Sequence, residues 1–266
     1  MAKLLVYFAA VMKTGLVLSG GGSRGIAHLG VIKALEEMGV KPDVIAGTSA
    51  GSIVGGFYAA GFSTDKMLEI ALQKKIFHFP GFSWQKDGLL KTRSIINTCR
   101  MFIGETTFEQ LNLPFTAAVT NLESGKTEYI ATGDVAIAIT ASSAVPGIFE
   151  PVKYNDRVYA DGGILNNFPV EPLLGNCDVI IGVHVNPLSH RDEAMSIPVV
   201  LDRSFHMAIY NSVIAKADKC NVFIEPPMLA EYGLFDFKKT QEIYDAGYNY
   251  TLGMKEQITA LYTSGN

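Results

Sequence analysis

The feature that most constrains this chain is the pentapeptide Gly47-Thr48-Ser49-Ala50-Gly51, set between two apolar runs of different length. The run before it, Asp43-Val44-Ile45-Ala46, is short and partly β-branched, as a buried strand is. The run after it, residues 52–60, is longer and rich in small residues, and reads as a closely packed helix. A G-x-S-x-G sequence at such a junction makes a sharp, strained strand-to-helix turn that exposes the serine hydroxyl. Ser49 therefore reads as a nucleophile. Gly47 and Gly51 allow the turn and the approach of neighbouring backbone.

A second strand-to-helix junction precedes it. Leu16-Val17-Leu18 leads into Gly20-Gly21-Gly22-Ser23-Arg24-Gly25, and Ile26, Leu29, Ile32, Leu35 and Met38 then recur at helical spacing until Gly39. Strand, helix and strand form a βαβ unit, which implies parallel strands and a right-handed crossover. Both glycine-bearing junctions then fall at the same carboxyl edge of the sheet. Further along, helices are predicted over 64–74, 92–102, 135–142, 199–217 and 238–261. Strands are predicted over 115–120, 127–131, 158–160, 178–185 and 222–224. This alternation predicts an α/β fold of three layers, α/β/α, around a mostly parallel sheet. The length of 266 residues suits a single domain over 13–266, preceded by a short extension, 1–12. The nine apolar residues from Leu4 to Met12 are too few for a span, which needs about 20.

The net charge of −4 and the absence of a Lys/Arg-rich run argue against a nucleic-acid partner. Cys99, Cys177 and Cys220 are odd in number and widely spaced, which argues against a disulfide framework or zinc site and suits a reducing cytoplasm. The mean hydropathy of +0.21 fits a well-filled core and leaves room for a lipid-facing surface.

The Gly20–Gly25 loop matches G-x-G-x-x-G. Dinucleotide binding would require a carboxylate at the end of the next strand, and that strand runs into Ala46-Gly47-Thr48-Ser49 instead. The same glycines at a helix N-terminus can present backbone N–H groups to a developing oxyanion. The histidines at 28, 78, 184, 190 and 206 have no local context that marks a base; His184, inside an apolar strand, reads as a core residue. Asp161 has such a context. A strand delivers it into Asp161-Gly162-Gly163, where two glycines leave space for a close neighbour, and a buried carboxylate can itself act as general base. Taken alone, Asp161 would read first as a cap on the following turn; Ser49 and the glycine loop in the same chain favour the base.

In this order, Gly20–Gly25, Gly47–Gly51 and Asp161-Gly162-Gly163 resemble the three signature motifs of the bacterial patatin-like phospholipases. The Ala141–Val152 stretch and Asn166-Asn167-Phe168-Pro169-Val170 add to the resemblance, which covers about residues 13–190. It implies a lipid acyl hydrolase with a Ser–Asp dyad: Ser49 as nucleophile, Asp161 as base, and the loop of Gly20, Gly21, Gly22 and Arg24 as oxyanion hole. Gly25, Gly47, Gly51, Gly162 and Gly163 fill the motifs' glycine positions. Neither cofactor nor metal is called for. The expected partner is a lipid or other ester, met in the cytoplasm or at a membrane surface, with Phe77, Phe79, Phe82 and Trp84 as an entrance loop or a satellite cluster. The alternative is a regulatory or lipid-binding module with the same fold and a vestigial site.

Overall fold

The computed structural model describes residues 12–73, 90–188 and 197–263. The extension before Met12, the aromatic stretch from Phe77 to Trp84, His78 and His190 lie outside them. Sixteen helices and strands follow in chain order among the described residues: β1 (Thr14–Leu18), α1 (Ala27–Glu37), β2 (Val44–Thr48), α2 (Ala50–Ala59), α3 (Thr64–Leu72), α4 (Thr92–Ile103), β3 (Phe115–Asn121), β4 (Lys126–Ile130), α5 (Val135–Ser142), β5 (Val152–Tyr154), β6 (Arg157–Asp161), β7 (Val179–Val183), α6 (Ile197–Ile214), β8 (Val222–Ile224), α7 (Thr240–Gly253) and α8 (Lys255–Thr263).

Five strands, in the order β3-β2-β1-β7-β8, are parallel. They are fully or almost fully buried, as a parallel sheet with both faces covered requires. Their side chains alternate between two cores. Leu16, Leu18 and Ile45 point into a large one shared with α1, α2, α5 and α7, while Val17 and Ala46 point into a smaller one closed by Phe168, Val170, Leu173 and Val213 of α6. This is the mostly parallel α/β architecture expected from the sequence. α1 and α7 cross closely, because Gly30 faces the backbone of Tyr244 and Gly247 faces the backbone of Ala27.

Three antiparallel strands extend the sheet beyond β2, and β3 organises them. β4 lies along one edge of β3 from Ala117 to Asn121. The opposite edge is shared: β2 occupies it up to the pair Thr48–Ala118, and β6 occupies it from the pair Val119–Asp161 onward. The carboxyl ends of β2 and β6 thus meet head to head along one strand. β5 was not expected. It pairs with β6 across a tight turn at Asn155 and Asp156, both with positive φ (49° and 58°). Two helix expectations also change. The first helix begins with a 3₁₀ turn, Gly22–Ile26, inside the glycine loop, and the last divides into α7 and α8 around Met254.

Candidate active site

Between the last residue of β2 and the first of α2 there is only Ser49, so the whole reversal falls on one residue. Its φ of 52° and ψ of −125° lie where non-glycine residues seldom go. The surroundings hold it there. The Ser49 amide donates to Ser142 Oγ (2.9 Å), which in turn donates to the Ala118 carbonyl (2.6 Å). The Ser49 carbonyl accepts from the amides of Ser52 and Ile53. Any Cβ on Gly51 would run into the carbonyls of Leu18 and Ser19, and one on Gly47 into that of Gly51. Both positions therefore require glycine.

Asp161 arrives from the other direction, at the end of β6, in line with the end of β2. Ser49 Oγ donates to Asp161 Oδ2 at 2.7 Å, and the Gly163 amide donates to Oδ1 at 2.7 Å. Gly162 lies against the Ala118 carbonyl and Thr48 Cγ2, which brings the turn after Asp161 down onto the sheet. Asp161 is 6% exposed. Burial pushes its pKa up to about 6, held back by the hydrogen bonds from Ser49 and Gly163, which favour the charged form. Near neutral pH the carboxyl is thus mostly ionised but more basic than a surface carboxylate. A hydroxyl donating to such a group is the pair from which a nucleophile–base step starts.

The glycine loop abuts the same serine. A Cβ on Gly20 would stand 3.0 Å from Ser49 Cβ, and Gly25 packs against Ala50. The sequence placed four residues in one donor set, and the structure separates them. The Gly20 amide is engaged by the Asn167 carbonyl (3.2 Å) and the Arg24 amide by the Gly21 carbonyl (3.1 Å), so neither can face a ligand. Among the described residues the loop leaves the Gly21 and Gly22 amides uncommitted. The Arg24 side chain, 4% exposed, also points away from solvent: Nε donates to the Tyr232 carbonyl (2.7 Å) and Nη1 to Asn186 Oδ1 (3.0 Å). Its charge fixes the loop from behind.

Several supports were not legible beforehand. Asn167 and Asn186 both donate to the Gly20 carbonyl. The segment from Tyr232 to Phe237 crosses the loop: the Ser23 amide donates to the Leu234 carbonyl (2.9 Å), Ser23 Oγ donates to the Gly233 carbonyl (2.8 Å), and the Asp236 amide donates to Ser23 Oγ (3.2 Å). No periodicity marks this segment; its one cue is the aromatic pair Phe235 and Phe237 after Gly233. A cavity of about 70 Å³ opens at Ser49 among Ile53, Ile95, Val145, Phe149, Phe235 and Phe237. The described histidines bond elsewhere: His28 to the Ser19 carbonyl, His184 to Glu225 and His206 to the Asn186 carbonyl. Burial lowers the His28 pKa to about 4, so that ring is neutral. The three cysteines are free.

The profile of the family described as "Patatin-like phospholipase" matches residues 16–174, which contain Ser49, Asp161 and the glycine loop. An uncharacterized NTE family protein of Mycobacterium tuberculosis is 39% identical over 189 residues, covering 70% of this chain and 52% of that protein. Lysophospholipase NTE1 of Saccharomyces cerevisiae is 29% identical over 274 residues, covering 89% of this chain and 16% of the yeast protein. The chain thus spans about half the length of the first relative and a smaller part of the second. Among solved structures, VipD from Legionella pneumophila has a TM-score of 0.52 over 92% of this chain and 67% of its own, at 14% identity, a likeness of fold. A profile match over more than half of the sequence, on this fold, shows that the chain belongs to the patatin-like phospholipase family.

Proposed function

We propose that the chain hydrolyses carboxylic esters of lipids, of the phospholipase A or lysophospholipase type, through an acyl-Ser49 intermediate with Asp161 as base. The observation that carries this reading is the 2.7 Å hydrogen bond from Ser49 Oγ to Asp161 Oδ2 at a strained elbow. The name of the yeast relative, a lysophospholipase, supports the substrate class. Among the described residues no helix is long and apolar enough to cross a membrane, so contact with lipid is proposed to be peripheral.

The cycle begins as Asp161 takes the Ser49 proton and Oγ attacks the ester carbonyl. The carbonyl oxygen gains negative charge and is held by the Gly21 and Gly22 amides at the start of the 3₁₀ turn. The bond to the alkoxy group breaks, and that group leaves with the proton from Asp161. Water then gives a proton to Asp161 and attacks the acyl carbon; the Ser49 bond breaks, and Oγ recovers its proton. A carboxylate with a pKa of about 6 suits both halves, accepting a proton near neutral pH and releasing it again.

The test is a fluorophosphonate probe followed by a panel of p-nitrophenyl esters, lysophospholipids and phospholipids. Labelling of Ser49 with turnover of at least one lipid ester is expected. A folded protein that neither labels nor turns over is a binding module, and the proposal then fails.

A further inference from the structure

Beyond naming an ester hydrolase, the geometry points to the Tyr232–Phe237 segment as the element that selects the acyl chain. We propose that Phe235 and Phe237 set how much of that chain is seated beside Ser49, from a strap whose backbone is bound to the glycine loop. This rests on the hydrolase reading above.

Three observations carry it. First, Phe235 and Phe237 line the cavity that opens at Ser49, together with Ile53, Ile95 and Phe149. Ser143 is also on the lining, but most of it is apolar, and a mainly apolar surface beside the proposed nucleophile fits a hydrocarbon chain better than a polar headgroup. Second, the cavity is small. At about 70 Å³ it is well below the roughly 300–1,000 Å³ of clefts that bury a whole small ligand, so it seats only the start of an acyl chain. The remainder must run out past Phe235, which is 47% exposed at the mouth. Third, the strap has a fixed position. The Ser23 and Leu234, Ser23 and Gly233, Asp236 and Ser23, and Arg24 and Tyr232 hydrogen bonds fasten it to the loop whose Gly21 and Gly22 amides are the proposed oxyanion donors. A ring carried on so firmly held a backbone acts as a wall. Moving that wall outward displaces the loop as well, so a chain that fits leaves the donors in place and one that does not disturbs them.

The experiment measures second-order labelling rates at Ser49 with alkyl fluorophosphonates bearing butyl and decyl chains, in the full chain and its variants. In Phe237→Ala the decyl-to-butyl ratio is expected to rise at least fivefold over the unsubstituted protein, and Phe237→Leu should bring it most of the way back. Phe235→Ala should raise the ratio at least threefold and, in folded protein, provides the reading if Phe237→Ala does not fold. A general loosening would slow both probes alike and leave the ratio unmoved. Ratios within twofold of the unsubstituted protein in the variants that fold overturn the strap's role while leaving the hydrolase reading standing. Absence of Ser49 labelling by either probe in folded protein removes both.

Discussion

Two partly buried acid-containing pairs lie at the carboxyl edge of this sheet, and they make different sites. At the end of β2, Ser49 donates to Asp161 at 2.7 Å. Two strands away, past β1 and its glycine loop, His184 follows β7 and Glu225 follows β8, with Nδ1 and Oε2 2.7 Å apart. By residue type, the histidine pair looks more like a hydrolase base and its orienting acid. Yet β1 stands between it and the serine, and its other ring nitrogen, Nε2, is buried without a hydrogen-bond partner. In the proposed mechanism, neighbouring strand position, more than residue type, decides which group takes the serine proton.

The sharpest way to break this comparison is to remove each pair in turn. Ser49→Ala and Asp161→Asn are each expected to lower kcat/KM by about a thousandfold or more, as loss of a nucleophile or its base does elsewhere. His184→Gln should change it by less than tenfold in protein that remains folded, while lowering the melting temperature, because Glu225 loses its partner. A loss from His184→Gln equal to that from Asp161→Asn would assign proton transfer to the wrong pair here.

The pH dependence distinguishes the two next. If Asp161 is the base, kcat/KM rises with pH through a midpoint at about 6, the pKa burial gives it. Stability runs the other way. The folded pKa lies above the ordinary 3.8, so the fold favours the protonated carboxyl; that stabilisation is complete below about pH 4 and is lost as pH rises through about 6. Asp161→Asn should therefore melt higher than the unsubstituted protein at pH 7.5, by on the order of 2 kcal/mol, with the gap closing toward pH 4. Thermal melts at the two pH values check this.

Two smaller effects refine what holds the serine pair. Ser142→Ala leaves the Ser49 amide without its acceptor, and a loss of ten- to a hundredfold in kcat is expected, with a cost of about 1–3 kcal/mol in stability. The adjacent Ser143 provides the contrast. Its hydroxyl is buried with no hydrogen-bond partner, and Ser143→Ala should be neutral or stabilise by up to about 1 kcal/mol in urea unfolding.

The sequence made the local half of this site readable. Both strand-to-helix junctions are encoded within a few residues, by glycines at a turn and by apolar spacing on either side, and the parallel pairing of β1 with β2 follows from the crossover between them. The sharing of one β3 edge by β2 and β6 was not readable, because antiparallel pairing over such a separation leaves no periodic trace. β5 was missed for a related reason: three residues are too few to show alternation, and Asn155-Asp156 is a weaker turn signal than Asn-Gly. Arg24 entered the donor set through its place in the glycine-loop motif, whereas its side-chain partners, Tyr232 and Asn186, lie more than 160 positions away. The strap joins the loop through backbone carbonyls, which every residue type possesses.

The head-to-head meeting of β2 and β6 also gives the molecule two separable levels of order. β6 and its hairpin partner β5 lie outside the five parallel strands, so the hairpin can detach from β3 while Ser49 keeps its elbow on β2. In that state the proposed nucleophile would persist without its proposed base. Catalysis is then a more sensitive gauge of hairpin docking than any measure of global unfolding, and the amides of β6 should exchange with solvent as a group as activity is lost, well before those of β1 and β7.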